Sequence, residues 1–294
     1  VGDLHVNNFG TWVDKKGRTV RRVKDTDEAY KLPYTNDLVR LVSSAKVLNE
    51  QGGLKLGLKD TAEQVLDGYR QGLNDGGKPF ILAENSKLDS IASSQIPKPE
   101  KFWKHLREQA EQNPLSRAPQ DALKEIGLLL PAKHGELLLG HRQAGVGSLG
   151  RERILAMTEA AKKNYAVEAK ASLPSANYYL SGKQGEKSYY KEVMGNAVRS
   201  ADPLVAVSDS WVTRALVPGR HKIELGDVIG SKNEARLLWA MGYETANIHL
   251  GTIGAAPAIL KDLGNRNSNW LVDAAKTMKK SVLEEQAEWK KYQK

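Results

Sequence analysis

The chain opens V-G-D-L-H-V-N-N-F-G, with Asp3 and Asn8 five positions apart in a stretch of little apolar bulk. One loop can present such a carboxylate and amide oxygen together. The carboxylate can take a proton from a hydroxyl, while the amide oxygen helps hold a hard cation such as Mg²⁺, which prefers oxygen ligands. That pairing suits phosphoryl transfer, where catalysis is mostly positioning and charge neutralisation. Asp25 and Asp27 follow in V-K-D-T-D-E and can complete a metal site, with Asp25 the first choice and Asp27 its nearest rival. The competing reading of Asp3 and Asn8 is a turn that bonds its own backbone. His5, between them, reads as a hydrogen-bonded brace rather than a base or a ligand.

A second constellation lies further along. Gly145, Gly147 and Gly150 spell G-x-G-x-x-G, with Ser148 inside the loop. A dinucleotide-binding fold would need a helix straight after these glycines. The run R-E-R-I-L-A-M-T-E-A alternates instead and predicts a strand, so backbone amides of the loop can cover phosphates between two strands. The next strand ends in Lys170, which can reach the same phosphates; the bland alternative is a surface lysine beside a turn. A helix downstream supplies Glu192 as its expected partner, with Glu186 second. A catalytic loop, a hairpin, an acidic segment, a glycine loop and a strand lysine are the parts of a protein-kinase active site. G-D-L-H-x-x-N is closer still to the form used by aminoglycoside and choline phosphotransferases.

The elements that must position these groups are legible in outline. F-G-T-W-V and R-T-V-R-R-V flank D-K-K-G and predict a hairpin over residues 9–24, with Gly17 easing the turn. From Thr35, Leu38, Leu41, Val42, Ala45 and Leu48 form one helical stripe that Q-G-G ends. Asp60 is expected to cap a second helix. Residues 84–98 read as irregular. P-E-K-F-W-K-H-L-R-E-Q-A-E-Q and P-Q-D-A-L-K-E-I-G-L-L-L predict two more helices, each opened by proline. Strands are expected in G-E-L-L-L-G-H-R-Q, R-E-R-I-L-A-M-T-E-A, N-Y-A-V-E-A-K, P-L-V-A-V-S-D, W-V-T-R-A-L-V and H-K-I-E-L, with a helix over residues 185–201. Ser231 and Glu234 form a capping-box pattern before a helical C-terminal segment.

Composition bounds the rest. The 294 residues can bury a sizeable core. The absence of cysteine excludes disulfides, thiolate metal sites and a cysteine nucleophile. No apolar run is long enough to predict a membrane span. The net charge of +9 is spread along the chain and reads as a solvated basic surface. Basic and aromatic residues are not interleaved, so no specific nucleic acid is expected. The chain begins at Val1, inside a motif, which predicts a segment upstream.

Together G-D-L-H-V-N-N-F-G, K-D-T-D-E-A, N-D-L-V-R-L-V-S-S, G-V-G-S-L-G and A-K-A-S resemble a bacterial family known as domain of unknown function twenty-two fifty-two, grouped with the protein-kinase-like superfamily. The resemblance implies a catalytic Asp3 and Asn8, an acidic loop of Asp25, Asp27 and Glu28, and Asp37 at a helix start bracing the catalytic loop. It also implies the glycine loop, Lys170 and Glu192 as nucleotide contacts, and later landmarks near Arg214 and His249. Thr26 stands where that family carries an aromatic residue. The glycine loop follows the catalytic loop, the reverse of kinase order, which implies circular permutation. The expected fold is thus α+β, protein-kinase-like and two-lobed, with a mostly helical large lobe and a small antiparallel-sheet lobe. Residues 1–130 would form the helical lobe, 131–230 the nucleotide-binding sheet lobe, and 231–294 helices packing on the helical lobe. The expected function is cytoplasmic ATP- and Mg²⁺-dependent phosphoryl transfer to an unknown hydroxyl acceptor, small molecule or protein. A nucleotide-binding module, a nucleotidyl-transferring relative and a basic nucleic-acid binder are the alternatives.

Overall fold

A computed structural model describes residues 1–16, 18–81, 84, 98–143, 150–180, 182, 187–218 and 232–292. After one 3₁₀ turn at Val6–Asn8, strand β1 (Phe9–Val13) pairs antiparallel with β2 (Thr19–Val23), Phe9 opposite Val23. Gly17, which the sequence puts in the turn, lies outside the described residues. Asp14 holds that turn, accepting from the Lys16 and Arg18 amides at 2.8 and 3.0 Å and from the Arg18 guanidinium at 2.7 Å. A two-residue strand, β3 (Phe80–Ile81), adds to the free edge of β2. Two residues carry no periodicity, so nothing in the sequence announces β3.

Helix α1 (Thr35–Glu50) buries Leu38, Leu41, Val42 and Ala45 completely, with Leu48 partly covered, as the stripe predicts. Helix α2 (Leu58–Asn74) starts earlier than expected, with Gly57 at its N-cap. Asp60 therefore makes no cap; it stands in the first turn, where a carboxylate still complements the helix dipole. Helices α3 (Pro99–Gln112) and α4 (Gln120–Gly127) follow.

Strands β4 (Leu138–His141), β5 (Arg153–Ala160), β6 (Lys163–Ala171), β7 (Val205–Val207) and β8 (Trp211–Ala215) make one antiparallel sheet in the order β4-β5-β6-β8-β7. Its faces separate by the two-residue period of β5. Ile154 and Ala156 pack with Ile126 of α4 and Trp211, whereas Leu155 and Met157 pack with Leu106 and Ala110 of α3. So α3 and α4, consecutive with the first helices in sequence, clothe this sheet. The expected strand H-K-I-E-L lies outside the described residues. Between β6 and β7 run α5 (Asn177–Leu180) and α6 (Tyr190–Asn196). The long helix expected over 185–201 is reduced to α6, which Gly195 and Asn196 bring to an early end.

Helices α7 (Lys232–His249), α8 (Ala255–Asn265) and α9 (Trp270–Tyr292) close the chain. Their apolar residues join Leu4, Phe9 and the inner faces of α1 and α2 in the largest core cluster. Ser231 lies outside the described residues, and Glu234 serves another loop: its carboxylate accepts from the Lys55 and Leu56 amides at 3.1 and 3.0 Å. Among the described residues, no helix is long and apolar enough to cross a membrane.

The α2–α7 contact is made backbone to backbone. A methyl group added at Gly242 would lie 2.0 Å from the carbonyl oxygen of Val65. Alanine normally favours a helix over glycine by about 1 kcal/mol. Overpacking of a fixed contact typically costs about 1–3 kcal/mol, and a clash with backbone leaves no side chain to swing aside. Gly242→Ala is expected to lower stability by about 2 kcal/mol net. Urea denaturation checks this: the midpoint should fall at unchanged slope, and a rise would show that the helices can separate freely.

Candidate active site

The opening loop is held from within. The Asn8 side-chain oxygen accepts from the His5 amide at 2.7 Å, and the His5 carbonyl accepts from the Asn8 amide at 2.9 Å. His5 Nδ1 accepts from the Asn7 amide at 3.1 Å, so His5 is the brace that its position predicted. Burial holds its imidazole below the usual histidine range, with Asp3 pulling the other way. Leu4 and Val6 anchor the loop in the core. Asp3, by contrast, is half-exposed and pairs with Arg40, one turn along α1 from Asp37. The Asn8 side chain is thus bonded within its own loop, and the Asp3 carboxylate is half-exposed beside Arg40.

Asp37 braces this loop from below. Its carboxylate accepts from the Gly2 amide at 3.1 Å and lies 2.7 Å from the Val1 nitrogen. His249 Nε2 stands 2.9 Å from the same carboxylate, and His249 Nδ1 stands 2.7 Å from the Tyr69 hydroxyl. Asp37 makes no bond to free amides of α1, because the nearby loop amides take its oxygens first. Leaving buried donors unsatisfied costs about 1–3 kcal/mol. Asp37→Ala is expected to lose about that much stability, with the melting temperature falling by several degrees in a thermal scan. An unchanged melting temperature with lost activity would move Asp37 into the chemistry.

The hairpin register then delivers the acidic segment. The Lys24 amide donates to the Asn8 carbonyl at 2.8 Å, continuing the β1–β2 ladder, so Asp25 emerges beside Asn8. Gly2 allows the next residues to close over the loop: it has φ +86°, and a Cβ there would lie 1.8 Å from the Glu28 carbonyl oxygen. Asp25 Oδ1 accepts from the Asp27 amide at 3.2 Å, which curls the segment.

The five-stranded sheet meets this segment. Lys170 Nζ lies 3.4 Å from Asp25 Oδ2 and also pairs with Asp27. Arg151, one residue after Gly150, pairs with Asp27 at 3.3 Å and with Glu28. Glu28 also takes the Ala176 amide at 2.7 Å, and its carbonyl takes the Ser175 hydroxyl at 3.1 Å. The Lys24 carbonyl accepts from Arg214 at 3.0 Å and from the Tyr190 hydroxyl at 3.3 Å. Lys170 is buried, and burial pulls its ammonium below the usual lysine range against the attraction of Asp25. On the same face, Glu168 pairs with Arg153 at 3.0 Å and with Arg142. Asp27 is nearly buried and Asp25 remains 41% exposed, so Asp25 has the more open oxygens.

One expectation changes. Glu192 is not the partner of Lys170: it is exposed, with its carboxylate 3.5 Å from Lys187. The reason is the short α6, whose inward residue is the buried Tyr190. Gly145, Gly147 and Ser148, like Glu186, lie outside the described residues; Gly150 is described, and Arg151 brings that end of the loop to the acidic segment. Sequence reasoning missed Arg151, Arg40 and Tyr190. Arg40 falls off the apolar stripe of α1 and so reads as an ordinary surface residue, and a guanidinium beside a glycine loop carries no pattern of its own.

A family model matches residues 1–126. Its description is an uncharacterized protein conserved in bacteria (DUF2252), and the chain is similar to that family over this stretch. The match spans Asp3, Asn8, Asp25, Asp27 and Asp37 and stops before the five-stranded sheet, leaving Arg151 and Lys170 beyond it. No curated protein and no solved structure matches the chain.

Proposed function

We propose that the chain is a phosphotransferase of permuted, protein-kinase-like design, which moves the terminal phosphoryl group of ATP to an acceptor hydroxyl with the help of Mg²⁺. The observation that carries this reading is the meeting of Lys170 with Asp25 and Asp27 across 145 and 143 positions of sequence. It joins the strand after the glycine loop to the acidic segment after the catalytic loop, as phosphate binding and metal binding on one nucleotide require.

The donor set suits Mg²⁺. The carboxylates of Asp25 and Asp27 and the amide oxygen of Asn8 are hard oxygen ligands, and Asp25 is open to solvent. Among the described residues no three acidic, histidine or cysteine side chains are arranged to hold a metal ion by themselves, so waters and phosphate oxygens would have to complete the shell, as is usual for Mg²⁺. Bound there, Mg²⁺ would neutralise charge on the phosphates. Lys170 and the amides of the glycine loop orient the nucleotide. Asp3 accepts the proton of the acceptor hydroxyl; the new O–P bond forms as the bridging β,γ P–O bond breaks, and ADP leaves. Arg40, paired with Asp3, would fix the orientation of its carboxylate.

Calorimetric titration of ATP with and without Mg²⁺, followed by mass analysis of the nucleotide product, tests this reading. Mg²⁺-dependent binding and ADP are expected. AMP or pyrophosphate would reassign the site to nucleotidyl transfer, and absence of ATP binding would overturn it.

A further inference from the structure

The Asp25 side chain is part-exposed and meets the Asp27 amide and Lys170. The backbone that delivers it is held at several points. The Val23 carbonyl accepts from Arg199 at 3.3 Å, and the Lys24 amide donates to the Asn8 carbonyl at 2.8 Å. The Lys24 carbonyl accepts twice, from Arg214 at 3.0 Å and from the Tyr190 hydroxyl at 3.3 Å. A peptide unit is planar, so a held carbonyl also fixes the amide and Cα that follow it. Both peptide planes leading to Asp25 are therefore fixed.

The three side-chain donors come from the far half of the chain, 166, 176 and 190 positions along for Tyr190, Arg199 and Arg214. Each is anchored. Tyr190 is the buried residue of α6. Arg214 stands opposite Glu168 in the β6–β8 register, on the sheet face that carries Lys170. The residue before Arg199 donates its amide to the Asn247 carbonyl of α7 at 2.9 Å, and Arg22 of β2 reaches back to the Ser200 carbonyl at 3.0 Å and to Asp202 at 3.1 Å. One donor is enough to satisfy a carbonyl; two donors from different elements, one for each lone pair, fix its direction as well.

We propose that Tyr190 and Arg214 are positioning residues for Asp25: by gripping the Lys24 carbonyl they set the carboxylate where it can share a metal ion with the nucleotide. This rests on the phosphotransferase reading, in which Asp25 is the open carboxylate of the Mg²⁺ site. Neither side chain touches the metal or the nucleotide in this role.

ATP titrated into the intact chain with and without Mg²⁺, followed by calorimetry, gives the factor by which the metal tightens ATP. Tyr190→Phe keeps the ring and removes the hydroxyl. It should cut that factor about tenfold, as loss of a partner that orients a metal ligand does, and leave the Mg²⁺-free affinity as it was. Arg214→Lys keeps the charge without the forked donor and should act in the same direction. In an Asp25→Asn background Tyr190→Phe should change neither affinity, because the group it acts through is gone. A structural role alone would weaken ATP equally with and without Mg²⁺, or act undiminished in the Asp25→Asn background; either result overturns the proposal. An unchanged factor in both variants overturns it too and leaves the phosphotransferase reading standing. Mn²⁺ alone, followed by the EPR signal of the free ion, supplies an arm that needs no nucleotide. Should the unaltered chain bind no ATP, the phosphotransferase reading falls. Weaker Mn²⁺ binding by Tyr190→Phe then upholds the positioning of Asp25, and equal binding, or none by either chain, overturns it.

Discussion

Lys170→Ala is expected to reduce turnover by about 10²–10³-fold, the usual cost of removing one preorganised charge from a phosphoryl-transfer site. ATP affinity should fall with it, because the ammonium that would neutralise the phosphates is gone. Mg²⁺ alone should move the other way. The lysine contacts both Asp25 and Asp27, whose oxygens a metal ion would draw on as well. Removing it leaves Asp27 to Arg151 and takes the ion pair from Asp25, which keeps its bond to the Asp27 amide. Calorimetric titrations with Mg²⁺ and with ATP separate the two effects. A parallel loss of both would mean that Lys170 holds the sheet against the acidic segment and does no more. Lys170→Met keeps most of the buried stem and controls for packing.

Asp3→Asn should remove transfer and spare nucleotide binding. General-base assistance is worth about 10²–10⁴-fold in rate, and the amide cannot take the proton. Stability should change by no more than about 1 kcal/mol, because the Asp3–Arg40 pair is half-exposed and solvent screens it. The informative contrast is Asp25→Asn, which should abolish the Mg²⁺ dependence of ATP binding. Single-turnover rates and ATP titrations on both variants give the comparison. Were Asp3→Asn to bind ATP poorly and turn over normally when saturated, Asp3 would be a nucleotide contact.

Local chemistry made much of the fold legible. The α1 stripe, the proline that opens α3 at Pro99, the hairpin and the alternation of β5 all follow from period and turn residues within a short window. Several polar groups took partners that local rules do not show. Asp60, expected to cap α2, stands in its first turn instead; the Glu234 carboxylate binds amides of the α1–α2 loop, and Ser231, its expected capping-box partner, lies outside the described residues. Asp37 sits at a helix start, as predicted, but its oxygens go to Gly2 and His249.

The site shows the same division. The sequence by itself determined the kinds of groups available: a loop with a carboxylate and an amide oxygen, an acidic pair after a hairpin, and a lysine on the strand after a glycine loop. It also determined that no thiol chemistry is possible. Only the tertiary structure decided which of these groups meet. It gave Lys170 to Asp25 and Asp27 and left Glu192 at the surface, brought Arg151 into the site, and laid α3 and α4 on the sheet. The physical reason is range. Periodicity records which face of an element is apolar within a few residues, but not which surface will cover it. An ion pair closed across more than a hundred residues depends on the packing of every element between, and leaves no mark in local spacing.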